Sequence, residues 1–134
     1  MPICPAFEQI GTKFGGFDLA VRTVPPCPPF STLIVTSSSQ LIPIGAFSPR
    51  GHFSPIHASP SDAVIIHKHV RSRKSIGMHW GCWALGDEVF MQDPERLKEA
   101  CLQGGIVDGS FGTVGIGETV RLESGTGNGE NSGN

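Results

Sequence analysis

Ser75–Leu85 reads SIGMHWGCWAL, and the change of character inside it sets the layout of the chain. Lys74–His79 reads as a strand, and it runs directly into a turn at Trp80-Gly81, where glycine accepts backbone conformations other residues avoid. His79 therefore ends a strand. Its imidazole is expected to project from the sheet edge into a loop-lined cleft, the kind of place where functional side chains concentrate.

Helices flank this strand on both sides. Ser59–Val70 carries a strong start signal: Ser59 caps, Pro60 suits the first turn, and Asp62 completes an S-x-x-D capping box. Ala63, Ile66 and Val70 then line one face. Downstream, a helix is predicted from about Pro94 to Gln103, with Asp93 as its cap, Leu97, Ala100 and Cys101 as its apolar stripe, and Gly104-Gly105 as its stop. Nearer the start, Pro5–Phe14 predicts a short helix with Phe7, Ile10 and Phe14 on one face, ended by Gly15-Gly16. Phe17–Ala20 opens a buried strand, and Leu41–Ala46 resumes its apolar character. Phe111–Gly115 and Thr119–Leu122, joined by Gly117-Glu118, predict a closing hairpin. The order helix, strand, helix, strand, helix, hairpin argues for an α/β layered architecture.

Two segments stand apart. Val21–Gln40 (VRTVPPCPPFSTLIVTSSSQ) has four prolines, no acidic residue and a serine run. Ser124–Asn134 has no apolar residue and is expected to be a disordered tail. The domain organisation expected is one folded unit over 1–123, interrupted at 21–40, followed by the tail at 124–134.

Composition narrows the functional classes. The 134 residues suit a single domain. A net charge of −2 provides no electrostatic case for binding nucleic acid or an anionic membrane surface. No apolar run approaches the ~20 residues of a membrane span, and the start MPICPAFEQIG lacks the pattern of a signal peptide. An intracellular protein, soluble or peripherally attached to a membrane, is expected. Cys4, Cys27, Cys82 and Cys101 form no CxxC pair, and reduced thiols are expected.

The five histidines are the obvious ligand candidates. His67 and His69 form an HKH, but at i and i+2 on a helix they point about 200° apart and cannot chelate one ion; they are expected on the helix surface. His52 follows Gly51 in a loop and reads as ordinary. His57 lies in a Pro- and Ser-rich loop just before the Ser59 cap. His79 has the best position, yet a catalytic zinc needs three protein ligands and one histidine cannot supply them. Among the acids, Asp62 and Asp93 are explained by capping, and Asp87-Glu88 reads as an exposed turn. There is no G-x-S-x-G context and no P-loop.

Taken together, several stretches resemble the N-acyl-phosphatidylethanolamine phospholipase D-like branch of the metallo-β-lactamase superfamily. They are Cys4-Pro5-Ala6-Phe7, Phe14–Ala20 (FGGFDLA), Leu41–Arg50 (LIPIGAFSPR), Ser59–Val70, Ser75–Leu85 with its H-W-G element, the helix over Asp93–Cys101, and Gly115–Leu122. The resemblance implies a zinc-dependent phosphodiesterase acting on a phospholipid-type substrate, with two zinc ions in the complete domain. It makes His79 the match to the family's last histidine ligand, the one metal-ligating residue found here. It makes His57 the match to a histidine near the catalytic centre, hence the catalytic candidate. Arg50 matches the family's P-R step and is the candidate for contacting substrate phosphate, with a structural salt bridge as the alternative.

The departures from the family are as informative. The H-x-H-x-D-H motif, the next histidine ligand and the aspartate of a Gly-Asp-Thr step have no counterpart in this sequence, and position 82 is Cys where the family usually has Thr. The fold implied is the carboxy-terminal half of an αββα sandwich, incomplete, with an uncovered sheet face that favours association with a homologous chain. The family also runs straight from the equivalent of Ala20 to Leu41, so Val21–Gln40 is expected to be a non-family insert, as a retained intron or, alternatively, a surface insertion. The expectation is a fragment of a phosphodiesterase that is inactive alone; the rival is a non-catalytic remnant serving as a binding or regulatory fragment.

Overall fold

The computed structural model describes residues 3–14, 20–21, 39–106 and 109–121. Helix α1 (Ala6–Phe14) precedes strands β1 (Ala20–Val21) and β2 (Ser39–Pro43). After these come α2 (Arg50–Phe53), α3 (Pro60–His69), β3 (Lys74–Met78), α4 (Asp93–Gln103) and β4 (Phe111–Thr113). The strands form one parallel sheet in the order β1-β2-β3-β4, so the chain is mixed α/β, as the alternation of its pattern predicts. The strand order follows the sequence, so each crossover steps the same way across the sheet. With one handedness of crossover, successive helices then fall on the same face.

That face holds the core. Ile42 and Ile44 from the β2 segment meet Ala63, Val64 and Ile66 of α3, Leu97, Ala100 and Cys101 of α4, and Phe111 of β4. Each fully buried aliphatic side chain contributes roughly 1.5–3 kcal/mol, and Ile42, Ile44 and Leu97 are the largest fully buried apolar side chains of the set. Register explains the sidedness: Ile42 pairs with Gly77 and Gln40 with Ser75, so Gly77 and Ser75 share the helix-facing side. The space a Cβ on Gly77 needs is filled by Ile44, Leu97 and Thr113. Leu41, Ile76 and Met78 lie on the other face and are half-buried.

Helix α3 begins as its sequence predicts. The Ser59 hydroxyl accepts from the Asp62 amide at 3.2 Å, while the Asp62 carboxylate accepts from the Ser59 amide at 2.9 Å. Such a cap stabilises by about 1 kcal/mol. Helix α1 lies against α3 where Gly11 meets the His69 carbonyl so closely that a Cβ there would collide with it.

Several expectations are corrected. Asp93 is not the cap of α4: Gln92 holds that position, its carbonyl accepting from Arg96 at 3.0 Å, and Asp93 lies inside the first turn with its side chain buried. The closing hairpin does not form over the described residues. β4 pairs with β3 in parallel, and residues 119–121 are not strand. The Gly115–Glu118 turn is present, but the Glu118 carboxylate accepts from the Gly115 amide at 3.0 Å, occupying the donor a hairpin partner would use. Phe14, expected on a buried face, is exposed. His52 lies on the short helix α2 rather than in a loop. Cys82 and Cys101 are free thiols, but Cys4 is disulfide-bonded, against the expectation of reduced cysteines. No helix among the described residues is long and apolar enough to cross a membrane.

The apolar stretches flanking the Pro-rich segment lie side by side, with Ala20 opposite Gln40 and Val21 opposite Leu41. Most of the expected insert, the start of its preceding strand at Phe17–Leu19, and the expected tail lie outside the described residues.

His67 is the largest departure from the predicted surface. It is buried, its Nδ1 lies 2.7 Å from the Ser75 hydroxyl, and its ring stacks on Phe111 at 5.3 Å. It thus ties α3 to β3 and β4. Burial, and after it the Lys68 charge, hold its pKa below the ordinary histidine value. The unfolded chain therefore takes up this proton first as pH falls. Its contribution is complete above about pH 6.5 and is lost as pH drops through that value towards the depressed folded one. His67→Gln is expected to be less stable at about pH 7.5 but to lose less stability between about pH 7.5 and pH 5.5 than the parent chain. Urea denaturation at both pH values checks this, and an unchanged pH dependence would refute it.

A candidate active site where the parallel strands end

The β2–β3 ladder extends one step past the strands proper, through the Ile44 amide donating to the Met78 carbonyl at 3.0 Å. Both chains then turn away. Ala46 has φ 58° and His79 has φ 61°, left-handed conformations that are costly for residues with a Cβ and that recur where function imposes the geometry. Gly45 makes the arrangement sterically feasible: a Cβ there would strike the His79 carbonyl oxygen. The carboxyl ends of parallel strands are where open α/β sheets bind ligands.

His79 is exposed and sits at this edge. Its ring lies 5.3 Å from that of His57, tilted by 44°. His57 arrives from the turn after α2, with its amide donating to the Phe53 carbonyl at 2.7 Å and its ring edge-on to Phe53 at 5.6 Å. His57 Nδ1 is buried and makes no hydrogen bond among the described residues. Burial first, and the His79 charge second, lower the His57 pKa; the Glu88 carboxylate and the Gly45 backbone oppose them without reversing the shift. Both lowering causes favour the neutral imidazole of His57, the form that offers a lone pair.

Two carboxylates complete the surroundings, and from sequence one reads as a helix cap and the other as part of an exposed turn. Glu88 accepts from the Phe47 amide at 3.1 Å and the Ser48 amide at 3.0 Å, while the Asp87 amide donates to the Ser48 carbonyl at 2.8 Å. These bonds clamp the loop before α4 onto the loop after β2. Burial alone would raise the Glu88 pKa, but backbone hydrogen bonds from Glu88, Ser48, Phe47 and Ala46 outweigh it and hold the carboxyl below its ordinary range. Glu88 is thus a brace, not the exposed acid expected of the Asp87-Glu88 turn. Asp93 is the second. Together with His79, Glu88, Trp80, Trp83 and Phe90 it lines a cleft of about 230 Å³.

Arg50 stands elsewhere in the hydrogen-bond network. Its guanidinium pairs with the Asp62 carboxylate at 2.7 Å, partly exposed, and so braces α2 against the start of α3; an ion pair of this exposure contributes on the order of 0.2–1 kcal/mol. His67 and His69 do not join the site: the first is locked to Ser75, and His69 Nδ1 is buried with no hydrogen bond among the described residues. Loop and strand-end position, and then the family resemblance, single out His57 and His79 in the sequence, and the fold brings their rings within 5.3 Å. Among the described residues no three His, Cys, Asp or Glu side chains are grouped closely enough to hold a metal ion. Gly45→Ala is expected to destabilise the chain by about 1–3 kcal/mol through overpacking against the His79 backbone. Thermal unfolding followed by circular dichroism measures it; an unchanged midpoint would show that the contact tolerates a methyl group.

No family model matches the chain. It is 38% identical over 114 residues to N-acyl-phosphatidylethanolamine-hydrolyzing phospholipase D 1 of Caenorhabditis elegans, a match covering 84% of this chain and 26% of that protein. It is 34% identical over 68 residues to the mitochondrial N-acyl-phosphatidylethanolamine-hydrolyzing phospholipase D of Saccharomyces cerevisiae, covering 51% of this chain and 14% of that protein. The chain thus spans about a quarter, or less, of the length of these relatives. Against the zinc that the sequence resemblance implies, the described residues gather no three-donor group, which a zinc site requires. Over the matched span, the chain belongs to the N-acyl-phosphatidylethanolamine-hydrolysing phospholipase D-like branch.

Proposed function

We propose that this chain supplies the carboxy-terminal part of a zinc-dependent phosphodiesterase of the metallo-β-lactamase type, acting on a phospholipid-type substrate. His79 carries the reading. It is a left-handed residue at the carboxyl end of a parallel strand, 5.3 Å from a second imidazole and open to a cleft. In this reading His79 is one metal ligand and His57, its neutral form favoured beside it, is the residue near the reacting centre. Zinc in such a site supplies an activated hydroxide and neutralises charge developing on phosphorus. The described residues do not complete a three-donor site, so no catalytic step is assigned to them. The reading draws the further donors from segments of the family domain that have no counterpart in this sequence.

The same reading takes the sheet and its α3–α4 layer as one half of an αββα sandwich, whose open face favours association with a homologous chain or segment. It takes residues 21–40 as an insert, and 124–134 as a tail. Arg50 contacts substrate phosphate only if it exchanges its Asp62 partner, so its first role is to brace α2.

Two measurements test the proposal. The 134-residue chain alone is expected to hold fewer than two zinc ions and to show no phosphodiesterase turnover; elemental analysis near two zinc per chain, or metal-dependent turnover, would overturn that. In a chimera, this chain replaces the matching span of the Caenorhabditis elegans relative. Hydrolysis of N-acyl-phosphatidylethanolamine is expected to survive there and to fall at least about 100-fold in His79→Asn, more than loss of an outer-shell partner costs. A fully active His79→Asn chimera would remove His79 from the metal site.

A further inference from the structure

Asp93 lies in the wall of the cleft beside His79, and the metal reading makes no use of it. Its side chain is only 5% exposed, it begins α4 without capping it, and its Oδ1 makes no hydrogen bond among the described residues. Oδ2 faces Gly45 on the other side. A buried acceptor without a donor is unfavourable, the more so for a carboxylate. Burial and, next, the Glu88 charge raise its pKa, against which Arg96 acts in the opposite direction. Arg96 does not hydrogen-bond to Oδ1; its guanidinium lies over the Phe47 ring at 5.6 Å from the centroid. Each Glu88 oxygen already accepts from a backbone amide, and the carboxylate adds its negative charge to the cleft. The remaining walls include the rings of Trp80, Trp83 and Phe90 and the side chain of Leu85.

An acceptor lacking a donor, negative charge in excess, and aromatic and aliphatic walls together describe a site for an organic cation with N–H groups. We propose that this cleft binds a small primary alkylammonium group, with the ammonium donating to Asp93 and the alkyl stem lying against the aromatic walls. Aromatic faces attract such cations through the ring quadrupole. The volume, about 230 Å³, is below that of usual drug-sized pockets and restricts the occupant to a small group. A quaternary ammonium lacks the N–H donor that Asp93 Oδ1 requires, and a divalent metal lacks a third donor among the described residues. The proposal stands independently of the phosphodiesterase reading, since its test involves no turnover.

Trp80 and Trp83 are the protein's two tryptophans and both line the cleft, so intrinsic fluorescence reports on it directly. Hexylammonium chloride is titrated into the full chain beside hexanol, a neutral molecule of the same length, and beside tetramethylammonium. Saturable binding of hexylammonium at least about tenfold tighter than either is expected. Asp93→Asn should abolish the preference over hexanol. Trp83→Leu, at a position 78% exposed, leaves Trp80 as the reporter and should weaken hexylammonium binding several-fold. Should Asp93→Asn fail to fold, the comparison of amine with alcohol on the parent chain decides the matter. Equal affinity for the two, an unchanged preference in Asp93→Asn, or saturation by zinc chloride with hexylammonium inert would each overturn the proposal.

Discussion

Everything about the candidate site follows from the parallel pairing of β2 with β3. Five register pairs hold the two strands together, and the Ile44–Met78 bond adds one more step. Because the strands run the same way, both end at the same edge, and the residues that follow them are forced to share one small volume. His79 enters that volume from β3. Gly45 and Ala46 enter from β2, followed by the loop that Glu88 clamps. An antiparallel pair would have sent these segments to opposite ends of the sheet.

Gly45 shows how narrow the tolerance is. The backbone of its segment comes so near the His79 carbonyl that no side chain fits, while the neighbouring Ala46 and His79 both accept left-handed backbone. Such conformations persist only when the surroundings over-determine them. Here the surroundings are the ladder on one side and the Glu88 brace on the other. The core beneath, built from Ile42, Ile44, Leu97 and Phe111, fixes the strands against α3 and α4, so the edge inherits its geometry from packing beneath the sheet.

Much of this was legible in the sequence, and the exceptions share a cause. The capping box at Ser59–Asp62 and the strand read over Lys74–His79 are local signals, and both elements form there, the strand stopping one residue earlier at Met78. Asp93 carries the same kind of signal as Ser59, a side-chain oxygen acceptor ahead of a Pro and an apolar stripe, yet it turns inward and Gln92 takes the cap position. A local pattern cannot tell a cap from a buried first-turn residue when a cavity waits on the other side. His67 is the opposite case. It falls four residues after Ala63 and one after Ile66, squarely on the stripe that also includes Val70, so its burial was written in the spacing. The closing hairpin depended on a choice between partners, and β4 pairs with β3 instead, a long-range outcome that no turn motif determines.

The proximity of His57 to His79 belongs to a third kind of information, neither local nor periodic. Twenty-one positions separate them, and α3 together with β3 lies between. Only the length of that helix-and-strand excursion returns the chain to the edge it left. Ser59 caps the helix immediately after His57, so the cap fixes where His57 must stop being helix and start being site. The Arg50–Asp62 ion pair then joins α2, the helix that leads into the turn carrying His57, to that same cap. Asp62 therefore serves the helix start and the histidine's approach with one carboxylate, and the geometry of the imidazole pair depends on a capping motif that carries no chemistry of its own.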